Sequence, residues 1–193
     1  MNVLVNKIIL TLIFFLLIES IFAQEKIVIT ASDNLPSLIE NAKDGDVFII
    51  KAGNYKVENL KITKSIKLIG ENFPIIEGNK KNEVITVTAS NVIIKGLVVS
   101  GAGVSFLQEN AAIKLNEVSY CVIEDNILKD NFFGIYLAKS YNCVIRNNRI
   151  EAYTKTETQE MEFIYGTVKE SPLRTTRLMD TEMEFTLSSL CIL

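Results

Sequence analysis

From Asp46 onward, short apolar runs alternate with Gly, Asn or Asp: residues 47–50, 66–69, 84–87, 92–94, 97–99, 113–115, 122–123, 135–137 and 144–145. Val, Ile and Leu dominate these runs and no helical period links them, so they predict strands. Each is too short for a large antiparallel sandwich; together they suit the rungs of a solenoid. The turn residues Gly70, Gly96, Asp125 and Asn147 follow at intervals of 26, 29 and 22 residues. Unequal steps of this size are those of a β-helix with loops inserted at its corners. Alternation then sends Ile66, Leu68, Val92, Ile94, Cys121, Ile123, Cys143 and Ile145 inward, and Lys67, Lys95, Glu124 and Arg146 outward. The expected fold is all-β, a right-handed parallel β-helix.

One interval is regular in detail. Ile113, Leu115, Cys121, Asn126 and Leu128 recur 22 residues later as Ile135, Leu137, Cys143, Asn148 and Ile150. Asn126 and Asn148 fall at equivalent corners, where stacked amides can hydrogen-bond along the coil and tolerate a left-handed backbone. Cys121 and Cys143 stack one strand spacing apart, about 4.8 Å, and read as a buried thiol pair in preference to a disulfide or copper site. Ahead of the coils, residues 35–42 predict a short amphipathic helix with Asn34 as N-cap and Pro36 in its first turn, a cap for the open end of the solenoid.

At 193 residues, 48% of them hydrophobic, the chain has material for one core. A net charge of -3 with no basic run gives no electrostatic footprint for nucleic acid. Lys7, the apolar run 8–18 and Ala23 before Gln24 read as a secretory signal cleaved after Ala23; the competing reading is an uncleaved anchor. The resulting division is signal peptide 1–23, N-terminal cap 24–45, rungs 46–159 and an irregular tail 160–193. The odd count of three cysteines, with Cys191 in that tail, argues against a disulfide framework.

The tail carries Glu-Met-Glu-Phe twice, at 160–163 and 182–185, again 22 residues apart. The genetic code explains this if the tail is translated out of frame. One nucleotide earlier, each Met followed by Glu or Asp yields a forced Gly, the Met codon becomes Asn or Asp, and Glu-Phe becomes Ile or Val. Both copies thus become a turn followed by a strand start, like Gly134-Ile135 in the present frame. The expectation is a frameshift near Gln159.

Residues 24 to about 159 resemble the NosD-type periplasmic β-helix proteins, which are nitrous oxide reductase maturation factors. The carrying segments are residues 45–50 (GDVFII), 53–55 (GNY), 66–70 (IKLIG), 92–97 (VIIKGL), 134–137 (GIYL) and 144–148 (VIRNN). With wobble bases free, the shifted tail can be read as GNGIHLW and GHRDGIYFEF, which resemble that family's later rungs. The resemblance implies a periplasmic accessory factor that helps assemble the copper-sulfur centre of nitrous oxide reductase with an ABC transporter, without turnover of its own. Its membrane contact would run only through the signal peptide or the transporter. The chain has no His, and copper prefers imidazole and sulfur ligands, so no copper site is carried over and no cofactor is assigned to this chain. Asn126, Asn148, Cys121 and Cys143 are assigned a structural ladder.

A second reading is a carbohydrate-active lyase or hydrolase, with Asp125, Asp130, Lys95, Glu124 and Arg146 aligned on outward faces. The simpler account of those charges is a solvated ladder in which Glu124 and Arg146 pair across rungs, and no catalytic residue is assigned. A generic exported β-helix binding protein is a further alternative. A third is that this product, lacking its later rungs and cap, is a non-functional fragment.

Overall fold

A computed structural model describes residues 26–105, 110–152, 164–169 and 177–178 of the chain. Seventeen strands coil into three parallel sheets. The first sheet runs β1 (Lys26–Ile29), β2 (Val47–Ile50), β5 (Lys67–Gly70), β8 (Ile93–Lys95), β11 (Val122–Glu124), β14 (Val144–Arg146). The second runs β3 (Asn54–Lys56), β6 (Ile75–Glu77), β9 (Val98–Ser100), β12 (Ile127–Asn131), β15 (Arg149–Ala152), β17 (Arg177–Leu178). The third runs β4 (Leu60–Ile62), β7 (Ile85–Val87), β10 (Ala111–Asn116), β13 (Phe133–Tyr141), β16 (Ile164–Lys169). From β2 to β16, successive strands visit the three sheets in rotation, which is the path of a parallel β-helix.

In-register pairing turns the alternation of each strand into columns of side chains. Phe48, Leu68, Ile94, Ile123 and Ile145 stack through the first sheet. Tyr55, Ile76, Val99, Leu128 and Ile150 stack through the second. Ile62, Val87, Leu115 and Leu137 stack through the third. All are buried and, Tyr55 and Ile150 aside, every residue of these columns is at most 1% exposed. Each large aliphatic side chain removed from water contributes about 1.5–3 kcal/mol, so the columns supply the main driving force for coiling.

The helix α1 (Leu35–Glu40) closes the N-terminal end. The Asn34 side chain accepts from the Ser37 amide at 3.2 Å, Pro36 occupies the first turn, and Leu35 and Ile39 face the core beside β4. Among the described residues the first sheet starts at Lys26, ahead of the helix, because β1 pairs with β2. Within residues 160–193, Ile164–Lys169 pairs with β13 and Arg177–Leu178 with β15; the remainder of that tail, like the signal segment, lies outside the described residues.

Corners are built in two ways. Gly96, Asp125 and Asn147 take φ values of 70, 55 and 55° in the same place on successive rungs. Gly70 has no such φ; there a Cβ would overlap the Gly96 carbonyl oxygen and crowd Leu97 and Pro74, so the demand is for space. The left-handed positions are therefore Asp125 and Asn147, not Asn126 and Asn148 as the sequence suggested. The turn residue bends the chain from the first sheet into the second, and the Asn that follows is buried.

Candidate functional site

Asn126 and Asn148 are each 1% exposed and form a continuous chain of hydrogen bonds along the coil. Asn126 Oδ1 accepts from the Leu97 amide at 3.1 Å, and its Nδ2 donates to the Ile94 carbonyl at 3.1 Å and to Asn148 Oδ1 at 2.9 Å. Asn148 Oδ1 also accepts from the Asn126 amide at 3.1 Å, and Asn148 Nδ2 donates to the Ile123 carbonyl at 2.8 Å. Each amide thus satisfies backbone groups that leave the ladder at a corner, groups that would otherwise be orphaned in the core. Asn131 does the same at another corner, accepting from Ala102 N–H at 3.0 Å and donating to the Val99 carbonyl at 2.9 Å. The repeat concealed it, since Tyr153 stands 22 residues further on.

Cys121 and Cys143 precede the paired strands β11 and β14, are free thiols, and lie in the apolar core at 0% and 1% exposure. Cys121 Sγ donates to the Ala89 carbonyl at 3.5 Å and Cys143 Sγ to the Tyr141 carbonyl at 3.4 Å. The contact between the sulfurs, with burial, pushes the Cys121 pKa up. That contact also draws Cys143 down to about 7, while burial there pulls the other way. Each thiol also donates to a carbonyl inside an aliphatic core, where burial disfavours a thiolate.

On the outward face of the first sheet, Lys95, Glu124 and Arg146 align in register. Lys95 Nζ lies 3.1 Å from Glu124 and 3.0 Å from Asp125, and Arg146 Nε donates to Glu124 at 2.6 Å. Burial of Glu124 opposes ionisation, yet the hydrogen bonds from Arg146 and Lys95 outweigh it and its pKa is lowered. Asp125 is lowered first by its hydrogen bond from Lys95, and the two carboxylates in turn raise Lys95. Both acids are held ionised by cations, whereas a general acid needs a raised pKa. Asp130 stands in β12, on another sheet, and does not join the cluster.

The outward face of the third sheet carries a group that the alternation of short runs did not reveal. Lys61, Thr86, Lys114 and Tyr136 are neighbours in register. Lys114 Nζ pairs with Glu83 at 3.0 Å, with both side chains only about one-fifth exposed, and sits 5.4 Å from the Tyr136 ring centroid. Phe133 lies 6.3 Å from Tyr136, ring to ring.

These geometries define a parallel β-helix of the pectate-lyase-like class, with a polar ladder inside and paired charges outside. The chain belongs to the family described as "Periplasmic copper-binding protein (NosD)", which matches residues 39–168 and so extends past Gln159. A cell surface glycoprotein of Methanothermus fervidus is 31% identical over 90 residues, 46% of this chain and 14% of that protein. The crystal structure of an alginate lyase from Paenibacillus sp. superposes with a TM-score of 0.53 at 22% identity, over 65% of this chain and 44% of the lyase. The chain thus spans about one-seventh of the glycoprotein and under half of the lyase, and at that identity the lyase establishes the shared fold alone.

The family's copper can be tested against the donors present. The chain has no His, and its four Met all lie outside residues 26–152, so Cys121 and Cys143 are the soft ligands of the described coil. No group of three or more His, Cys, Asp or Glu side chains is placed to hold a metal among the described residues. Copper(I) bound by two thiolates would place a net negative charge among aliphatic side chains, a burial cost on the order of several kcal/mol. The described residues do not fit a copper site. No helix among them is long and apolar enough to cross a membrane.

Proposed function

We propose that this chain is the β-helix part of a periplasmic accessory factor for nitrous oxide reductase, assisting assembly of its copper-sulfur centre together with ABC transporter components. The observation that carries this reading is the family match over residues 39–168. The coil acts by presenting a rigid surface and does not turn over substrate; the mutual pairing of Glu124 and Asp125 with Lys95 and Arg146 favours that view. Export would rest on the apolar run 8–18 with cleavage after Ala23. Residues beyond Gln159 are read as out of frame, which makes this product a partial form of a longer factor; resequencing across the codons for 151–159 tests that point. Functionally, a tagged, frame-restored protein expressed in the source cells should co-purify with the transporter's membrane components after gentle solubilisation. Its recovery free of transporter and reductase would oppose the proposal.

A further inference from the structure

The outward face of the first sheet carries two columns of side chains. Through the first three rungs one column is Val28, Ile49 and Ile69, and the other is Lys26, Val47 and Lys67. From the fourth rung the roles exchange: Ile93, Val122 and Val144 follow Lys67, while Lys95, Glu124 and Arg146 follow Ile69. The result is an oblique aliphatic stripe of Val28, Ile49, Ile69, Ile93, Val122 and Val144, one residue on each strand of the sheet. Val28 is 55% exposed and the other five are partly exposed. At one strand spacing per rung the stripe is about 24 Å long. Outward positions need not be aliphatic, and the third sheet places Lys61, Thr86 and Lys114 there. A continuous apolar line at the surface marks an interaction site.

Charge decides the kind of partner. The face holds the cations Lys26, Lys67, Lys95 and Arg146 against Glu124 and, at the corner, Asp125. Those two acids are taken up by Lys95 and Arg146, whereas neither Lys26 nor Lys67 has an ion-pair partner among the described residues. The bordering corners are balanced, with Lys51 paired to Glu71 and with Lys43 and Lys64 set against Asp44 and Asp46. The face is therefore positive on a chain whose net charge is -3. Two copies meeting through it would repel, and the complementary surface is apolar with carboxylates at its flanks. A membrane is a poorer match, because five of the six aliphatic residues are half-sunk in a sheet and do not reach below the headgroups.

Backbone chemistry selects the partner's shape. Internal strands of the first sheet already use their N–H and C=O groups on neighbouring strands. An extended segment lying on the face would find no backbone partners there, while an α-helix satisfies its own. A line one residue wide is the counterpart of the apolar stripe of an amphipathic helix, and its length accommodates about 16 helical residues. Tyr120 borders the stripe at the corner before Val122, 62% exposed and at φ 59°. Asn91 and Asn142 hold the same place on the neighbouring rungs, at φ 60 and 53°. Asn suits that backbone and an aromatic residue does not, so the corner alone does not account for Tyr120.

We infer that this stripe is a docking surface for an amphipathic α-helix of another polypeptide, about four turns long, whose aliphatic face is flanked by Glu or Asp. The helix lays its apolar side chains against Ile69, Ile93 and Val122, and its carboxylates pair with Lys26 and Lys67. The surface does not depend on the maturation role.

The test uses three fluorescent synthetic peptides of about 16 residues, each held helical by a side-chain lactam, titrated with the purified chain and followed by anisotropy. One carries a leucine stripe flanked by Glu, the second the same stripe flanked by Lys, and the third the Glu composition with its leucines spread around the helix. The Glu-flanked peptide is expected to bind about ten-fold tighter than either control, and less tightly as salt is added. Ile93→Thr together with Val122→Thr keeps β-branching on both strands and should weaken that peptide about ten-fold, with the thermal midpoint nearly unchanged. Lys26→Gln together with Lys67→Gln should remove the preference for Glu over Lys flanks, and Lys61→Gln, on the third sheet, should leave it intact. Equal binding of the three peptides, no binding, or an affinity unaltered by the double Thr variant would overturn the inference. So would dimerisation of the chain that the same variant abolishes, or adsorption to anionic phospholipid vesicles in place of peptide binding.

Discussion

Replacing Asn126 by Ala removes a buried side chain that makes three hydrogen bonds, two to backbone groups and one to Asn148. The Leu97 amide, held at 3.1 Å by Asn126 Oδ1, is left without an acceptor in the core. The Ile94 carbonyl loses its side-chain donor, and Asn148 Oδ1 loses one of two donors. An orphaned buried N–H costs about 1–3 kcal/mol and each of the other two losses about 1 kcal/mol, so the expected destabilisation is about 4 kcal/mol. Asn54 provides the comparison, because its exposed side chain makes one inter-rung hydrogen bond, to Glu77 at 3.0 Å; Ala there should cost at most about 0.5 kcal/mol. A solenoid can open rung by rung, so native-state hydrogen exchange is the suitable assay, read at the Leu97 and Asn126 amides and at strands β8 and β11. Asn126→Ala should raise exchange there by on the order of a hundred-fold or more, with much smaller changes in β2. If Asn126→Ala costs no more than Asn54→Ala, the reasoning that the inward amides satisfy the corners is refuted.

Three other outcomes follow from the same geometry. Gly70→Ala should destabilise by about 3 kcal/mol, since the new Cβ meets backbone oxygen that cannot rotate away; Gly45→Ala, at φ 93° with open space around it, should cost about 1–2 kcal/mol, and equal midpoints in denaturant would contradict the distinction. Glu124 has a folded pKa below its ordinary value of 4.5, so its pairing adds stability above pH 4.5 that is lost as pH falls through the folded value. Glu124→Gln should therefore flatten, without removing, the acid side of the stability curve, because Asp125 is also lowered; an unchanged acid limb would count against the ladder. Finally, Cys121→Ala with Cys143→Ala should leave copper(I) uptake by the purified chain unchanged in competition with a chelator, whereas loss of one tightly bound copper would place the metal in the core after all.

The columns of the coil were legible because inward positions in a parallel β-helix must be apolar on every rung, and Ile94, Ile123 and Ile145 repeat that demand at the same offset from a turn residue. Strands β1, β3, β4 and β6 escaped notice because they hold three or four residues, of which Lys26, Lys56, Lys61 and Glu77 face solvent. The turn residues Asp125 and Asn147 were read as such, but the left-handed backbone was assigned one residue further on, to Asn126 and Asn148. An Asn can serve either as a left-handed turn or as an inward amide, and adjacent Asn147 and Asn148 do one each. The Glu83–Lys114–Tyr136 group was hidden because register, which no single strand encodes, brings residues from three successive rungs together. Charges were easier: Lys95, Glu124 and Arg146 share a column set by the same turn spacing that placed the core.

The central proposal concerns a partner, and the most direct measurement is made on that partner. Nitrous oxide reductase should be isolated from source cells carrying the gene intact, deleted, and restored in the shifted frame, and its copper content and copper-sulfur absorption compared. The account predicts a reductase deficient in the copper-sulfur centre on deletion, recovered by the frame-restored gene. A fully loaded reductase from the deletion strain would contradict it.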